Sequence, residues 1–267
     1  MQSRPIIMRF TDDCAIIAFN SSLYLRRIAN PPTLKDLAPV DISVDCVLFG
    51  FDEKKLKVLL IEQRQPGKDK KVSRLQTAVP GDLLKENESL DEAAKRVLRE
   101  LTSLKGIYLK QFYAFGDPMR VKNVKDQEWL HTFRAHPERR VVTVGYYSLV
   151  KMEDYQPKAS SFAGKAKWVD VYSIPELAFD HNLIVDQALE VFRHELIADN
   201  IGFELLPEKF TLSQVQHLHE IILDKKLDKR NFRKNMLKME HLKALDEKQK
   251  GVLHKPAQLY QYRSKKK

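Results

Sequence analysis

Residues 81–104 read GDLLKENESLDEAAKRVLRELTSL, and their spacing leaves little freedom of fold. Ser89 followed three residues later by Glu92 is a capping box, so a helix starts there. Leu90, Ala94, Val97, Leu101 and Leu104 recur at steps of four and three, which puts them on one stripe. Such a stripe has to be buried, and strand-like segments stand on both sides of it. ISVDCVLFGF and LKVLLIEQ are apolar runs of strand length joined by the polar turn DEKK, the pattern of a hairpin. Beyond the helix, IYLKQFYAFGDP reads as a strand ending in a turn. RRVVTVGYYSLV reads as a central strand rich in valine and tyrosine, and AKWVDVYSI as one more. Together these predict an amphipathic helix packed on a mixed sheet.

The surroundings are less regular. Residues 1–37 hold two short strand-like runs, PIIMRF and CAIIAFN, and are expected to form a weakly ordered extension. ANPPTLKDLAP reads as a proline-stiffened linker and RQPGKDKKVSR as a flexible basic loop. DPMRVKNVKDQEWLHTFRAHPERR reads as one long turn. DHNLIVDQALEVFRHELIAD predicts a helix with Leu183, Ile184, Leu189, Val191, Phe192 and Leu196 on its apolar side, capped by Asp180 or Asn182. Hydrophobic residues make up 43% of the chain, enough for real cores. No apolar run approaches the roughly 20 residues that cross a bilayer, and the start lacks the pattern of a secretory signal. Two cysteines, Cys14 and Cys46, suggest neither a disulfide framework nor a zinc site. The expectation is a cytoplasmic protein with no membrane partner.

Charge is concentrated at the C-terminal end. Residues 201–267 carry 16 Lys and Arg against 8 Asp and Glu, a net +8 out of +10 for the whole chain. A polyanion partner is the reading, nucleic acid first. TLSQVQHLHEIIL is a helix capped by Thr211 or Ser213, DKKLD a turn, and KRNFRKNMLKM a short basic helix. LKALD and QLYQYR then read as two strands joined by a basic loop. This is the element order of a winged helix-turn-helix, whose second helix enters the major groove. Leu227, Phe232, Met236 and Met239 are spaced to face a core, and Lys229, Arg230, Arg233, Lys234 and Lys238 to project away from it. Asn231 and Asn235 are candidates for adenine edges and the arginines for guanine. Lys248, Lys250 and Lys255 on the wing would lie near phosphates. A solvated basic face is the competing explanation. The basic helix, basic hairpin and order of elements together favour double-stranded DNA.

The stretch PGDLLKENESLDEAAKRVLREL resembles the Nudix box, in which glutamates on one helix face hold Mg²⁺ for diphosphate hydrolysis. Hard cations need oxygen ligands, and helix positions three and four apart converge on one point. Glu88, Arg96 and Glu100 match the box. Asp82 stands in place of a glycine, Val97 and Leu101 in place of two glutamates, and Ser103 in place of the last glycine. With two of three helix ligands aliphatic, the resemblance implies a Nudix scaffold without hydrolysis, metal or cofactor. Over residues 40 to the end, FGDP, HPERRVVTVGYYSLV and the segments ELLPEKFTLSQVQHLHE, LDKRNFRKNML and KPAQLYQY resemble the Nudix-related transcriptional regulators of bacteria. That group includes repressors of NAD metabolism and a branch, with the arabinose regulator, that controls sugar use.

The resemblance implies an α+β chain: a Nudix-like α/β/α sandwich with a mixed sheet, followed by a winged helix. Residues 1–37 are then an extension, 38–178 a sensor domain, and 179–267 a linker helix and DNA-binding domain. The chain would be a homodimeric repressor, released from its operator by a small-molecule effector. The missing metal ligands favour a neutral sugar such as arabinose, with an ADP-ribose-like compound as the other candidate. Glu100, Asp117, Arg120 and Arg140 are the candidate effector contacts. One rival is a Mg²⁺-dependent Nudix phosphohydrolase using the spare carboxylates Glu86, Glu88, Glu92 and Glu100. Another is an RNA-binding module, but the basic unit lacks aromatic platforms for single strands.

Overall fold

Strand β1 (Val40–Phe51) is the wall on which the rest is built. In the computed structural model of the chain, residues 39–65, 74–152, 154, 157–158, 163–198, 202–253 and 255–263 are described. The expected extension at 1–37, most of the basic loop, Cys14 and the last four residues lie outside them. Strand β1 pairs in parallel with β6 (Arg140–Lys151) over its whole length, from Val40 opposite Arg140 to Phe51 opposite Lys151. Its end turns back through the expected hairpin into β2 (Leu56–Gln65), with Phe51 opposite Leu56. The short strand β4 (Gly81–Leu83) pairs with residues 43–45 of β1. Strands β3 (Arg74–Ala78) and β7 (Ala163–Asp170) flank β2, and β5 (Lys110–Phe115) flanks β6.

Side chains alternate across a strand, and both faces of β1 are covered. Val44, Cys46 and Leu48 point to one face, where helix α1 (Leu90–Thr102) lays down Ala94, Val97 and Leu101. Ser89 and Glu92 form the expected capping box. Val47, Phe49 and Phe51 point to the other face, against Ile184, Ala188, Phe192 and Leu196 of α3 (His181–Ala198). The result is the α/β/α sandwich with a mixed sheet.

Two details differ from the sequence reading. The long turn after Asp117 contains a helix, α2 (Val124–Phe133), capped by the Asn123 side chain on Lys125 N–H. It buries only its inner side, so its pattern is weak. On α3, Leu183 is exposed, and neither proposed cap serves as such: the Asp180 carboxylate holds Arg120, while Asn182 accepts from Leu177 N–H and donates to Pro175 C=O.

The second half is the winged helix. Helix α4 (Leu212–Leu223) is capped by Thr211 in a box with Gln214. Helix α5 (Lys229–Met236) is capped by Asp228. Strands β8 (Leu242–Lys248) and β9 (Gln258–Tyr262) pair as the wing, and Phe210 adds a bridge to Tyr260. Val215, Leu218, Ile222, Phe232 and Met236 belong to the same apolar cluster as Phe49 and Phe192. The large sheet and the winged helix therefore share one core.

Inside that core His219 packs edge-on against Phe232, ring centroids 5.2 Å apart. Burial pushes its pKa down to about 4 from 6.5. As pH falls the unfolded chain takes up this proton first, so the stability is complete above about pH 6.5 and drains away towards pH 4, in total on the order of 3 kcal/mol. Thermal melts of the wild type should therefore fall over this range more steeply than those of His219→Leu. Equal slopes would show that His219 does not set the acid sensitivity.

Candidate functional site

The box helix has lost its metal face to packing. Val97 and Leu101 are 0% and 1% exposed and lie against the sheet. The surviving acids converge on Arg96 instead. Its Nε and Nη2 donate to the two Glu88 oxygens at 2.8 and 2.7 Å, and Nη1 donates to Asp82 at 2.9 Å and Glu100 at 3.2 Å. The remaining Nη2 proton goes to Leu83 C=O at 2.8 Å. All five donors of the guanidinium are used. These bonds, Glu88 first, raise the Arg96 pKa, and Arg96 in turn holds Glu88 below the usual carboxylate range. Among the described residues no three His, Cys, Asp or Glu side chains are grouped to hold a metal ion. The residues present do not fit the Mg²⁺ that a Nudix box implies: two ligands are aliphatic, and the acids left are bound by one arginine.

A cavity of about 250 Å³ opens beside this helix, between β1, β4, β6 and the segment around α2. It is somewhat smaller than the roughly 300–1,000 Å³ common for ligand sites, and mixes apolar walls with a few polar groups, as such sites do. Asp45 sits in its floor, 4% exposed. A Cβ at Gly81, its neighbour on β4, would come within 1.8 Å of Asp45 Oδ1. The glycine thus gives the carboxylate its room. Arg120, its side chain 3% exposed, is held by a bidentate pair with Asp180 at 2.8 and 2.7 Å, lies 3.8 Å from Asp45, and donates to Thr143, which is hydrogen-bonded to Ser43.

His181, the first residue of α3, completes the floor. Its Nδ1 accepts from Val79 N–H at 3.2 Å, so the proton of the neutral ring is on Nε2, 3.7 Å from Asp45 Oδ2. Burial lowers its pKa and keeps it neutral. Phe179 lines the wall with φ 55°, a left-handed value costly for a phenylalanine. The buried Asp126 carboxylate fixes it by accepting Phe179 N–H at 3.1 Å.

Of the four effector candidates, the structure brings Arg120 alone to this cavity. Glu100 belongs to the Arg96 cluster. Asp117 closes a turn by accepting Met119 N–H at 2.7 Å, and Arg140 is exposed, donating to Gly116 C=O at 2.6 Å. Sequence reasoning missed Asp45, His181, Trp129 and Arg134. Asp45 carried a usable signal, a lone acid inside an apolar strand run. The other three had none.

On the winged helix, Phe232 and Met236 turn inwards, and Lys229, Arg230, Asn231, Lys234, Asn235 and Lys238 are exposed. Arg233 is different: it is half-buried on the flank, with Nη2 3.3 Å from Ser213 Oγ. Lys248, Lys250 and Lys255 are exposed on the wing. The turn before α5 is fixed by Glu220, which accepts Leu227 N–H at 3.0 Å. From the sensor side, Tyr172 Oη donates to Ile221 C=O at 2.5 Å and Arg193 Nε to Ile222 C=O at 2.7 Å. Both carbonyls lie in the last turn of α4, where helical donors run out, and Ile221 C=O also accepts Asp224 N–H of the cap at 3.3 Å.

Comparison with known proteins agrees with this architecture. The family model of the NUDIX domain matches residues 39–186, and that of the NrtR DNA-binding winged helix domain matches residues 202–262. A protein of Acinetobacter baylyi, the ADPR responsive transcriptional repressor NtrR, is 28% identical over 226 residues, 83% of this chain and 81% of the relative. The crystal structure of Shewanella oneidensis NrtR complexed with a 27mer DNA is 27% identical, with a TM-score of 0.61, covering 83% of this chain and 93% of that one. A MutT/nudix family protein from Enterococcus faecalis, 20% identical, has the same fold with a TM-score of 0.63 over 92% of this chain and 94% of its own.

Restoring the box acids tests the packing directly. Val97→Glu with Leu101→Glu buries two carboxylates, each expected to cost about 3 kcal/mol or more. A large drop in melting temperature is expected, with no gain of Mg²⁺-dependent hydrolysis. A double variant as stable as the wild type would refute this view of the helix.

Proposed function

The chain belongs to the Nudix family, and from that premise we propose that it is a transcriptional repressor: a sensor domain that binds an effector without cutting it, joined to a reader of duplex DNA. The observation that carries this reading is the joint itself. An apolar core runs unbroken from the Nudix sheet through α3 into a winged helix whose outer face is cationic. Residues 38–178 would sense, and residues 179–267 would link and read.

Helix α5 would lie in the major groove. Arg230 and Lys234 project outward from it, and Asn231 is placed to reach base edges. Lys229 and Lys238 would flank them, and Lys248, Lys250 and Lys255 would hold phosphates. Arg233 would steady α5 against α4 and touch DNA only from the flank. Leu183 and Ile197 are exposed near one side of α3, close to four turns apart, and would form part of a two-fold contact that spaces two recognition helices.

The effector would occupy the cavity around Asp45, Arg120 and His181. The relative that responds to ADPR supports an ADP-ribose-like effector over a neutral sugar, and a guanidinium group in the cavity wall that is not paired with an acid, Arg134, suits a phosphate. Lack of hydrolysis is supported by the burial of Val97 and Leu101 and by the capture of the remaining acids by Arg96.

Fluorescence anisotropy with duplex DNA from upstream of the chain's own gene tests the reader. Binding should exceed that to scrambled duplex and weaken steeply with salt. Arg230→Ala with Lys234→Ala should lose at least about 1–3 kcal/mol of sequence discrimination. Lys248→Ala should weaken all duplexes alike and lower the salt slope by about one. A folded Arg230/Lys234 double variant that binds as the wild type does would rule out α5 as the recognition helix.

A further inference from the structure

Helix α2 brings to the cavity a group that the sheet does not supply. Its inner side, Trp129 and Leu130, is buried in the cavity wall. At its end Arg134 caps the helix, its backbone N–H donating to Leu130 C=O at 2.8 Å. The Arg134 side chain lines the same cavity, and its Nη1 is buried with no hydrogen-bond partner among the described residues. The two neighbouring guanidinium groups are tied to the protein: Arg96 by its three acids and Leu83, Arg120 by Asp180 and Thr143. Burial holds the Arg134 pKa below the ordinary arginine value, opposed by Asp41, Asp45 and Asp82. A guanidinium is not deprotonated in proteins, so the group stays charged.

A buried N–H donor that finds no acceptor destabilises the free protein. A hydrocarbon here would avoid that cost. The same cavity holds the complementary chemistry, an Asp45 carboxylate that can accept hydroxyl protons and a neutral His181.

We infer that Arg134 is the anion-reading residue of the cavity: Nη1–H donates to a phosphoryl oxygen of a phosphorylated sugar of the nucleoside diphosphate class, while the sugar hydroxyls face Asp45. This rests on the proposed effector role of the cavity. It makes α2, the helix inserted between Asp117 and β6, the element that selects a charged effector over a neutral sugar.

The test uses the full chain in EDTA, so that no metal bridges ligand and protein. Wild type and Arg134→Gln are compared by thermal melts and by calorimetric titration with ADP-ribose, with inorganic pyrophosphate as the minimal anionic probe. The free Arg134→Gln protein should melt at or above the wild-type temperature, since a buried charge with an unmet donor is replaced by a neutral group. Its affinity for ADP-ribose should fall about 10-fold or more, the size of one charge-assisted hydrogen bond. Stabilisation by pyrophosphate should shrink in parallel; what remains reports the basic winged helix. Equal ADP-ribose affinities overturn the inference and leave the effector reading standing. A wild type that ignores ADP-ribose but shows Arg134-dependent stabilisation by pyrophosphate supports the inference and sinks the choice of effector. No Arg134-dependent response to either compound overturns the inference, as does a lower melting temperature with unchanged binding, which marks a structural arginine. Should Arg134→Gln fail to fold, Arg134→Lys keeps the charge without the planar fork. Weaker ADP-ribose binding then supports the role, and unchanged binding overturns it.

Discussion

Strand β1 has a packed layer on each face, and the architecture follows from that. Its even-numbered residues from Val44 to Leu48 hold α1, and its odd-numbered residues from Val47 to Phe51 hold α3. Phe49 stacks on Phe192 at 5.7 Å, and the cluster continues through Leu196 to Val215 and Leu218 of the winged helix. Packed interiors do not deform continuously. A shift of α3 must therefore be passed to the DNA-reading half, and polar ties act in the same direction. Tyr172 and Arg193 hold the end carbonyls of α4 from the sensor side. The opposite end of α3 starts at His181 in the cavity floor, next to the Asp180–Arg120 pair. One helix thus runs from the cavity to the core of the winged helix, so the proposed effector would have a physical route between them.

The box helix is a case of one surface with two exclusive uses. Acids at 97 and 101 would leave a polar face for a cation, whereas valine and leucine there close the core. The acids that remain are not idle. Asp82, Glu88 and Glu100 fix Arg96, and Arg96 fixes the loop at Leu83 that borders the cavity. Their charge orders the wall of a pocket.

The sheet, α1 and the winged helix were legible because each carries a strong period: two along β1 and β6, three and four along α1, and turn chemistry between α4 and α5. Capping boxes at Ser89 and Thr211 marked two helix starts. Helix α2 was not legible, because it buries one side of a polar sequence and has no apolar stripe. The cavity was barely legible for a related reason. Its groups come from β1, β4, β6, α2 and the start of α3, and only pairing β1 with both β4 and β6 brings Asp45 next to Gly81 and Thr143 near Ser43. Arg120 was found because it lies near the end of a central strand. Asp117 and Arg140, chosen on the same ground, are exposed instead. Arg233 shows the same limit on a helix. Periodicity assigned it to the outer face, but it lies on the flank against Ser213.

The most direct measurement is the affinity for one duplex, from upstream of the chain's own gene, without ADP-ribose and at saturating ADP-ribose, in EDTA. With α3 joining the cavity to the core of the winged helix, filling the cavity should weaken DNA binding at least about 5-fold, and by linkage DNA should weaken ADP-ribose binding by the same factor. An unchanged DNA affinity with the cavity shown to be full would mean that the shared core transmits nothing, and that sensor and reader work independently.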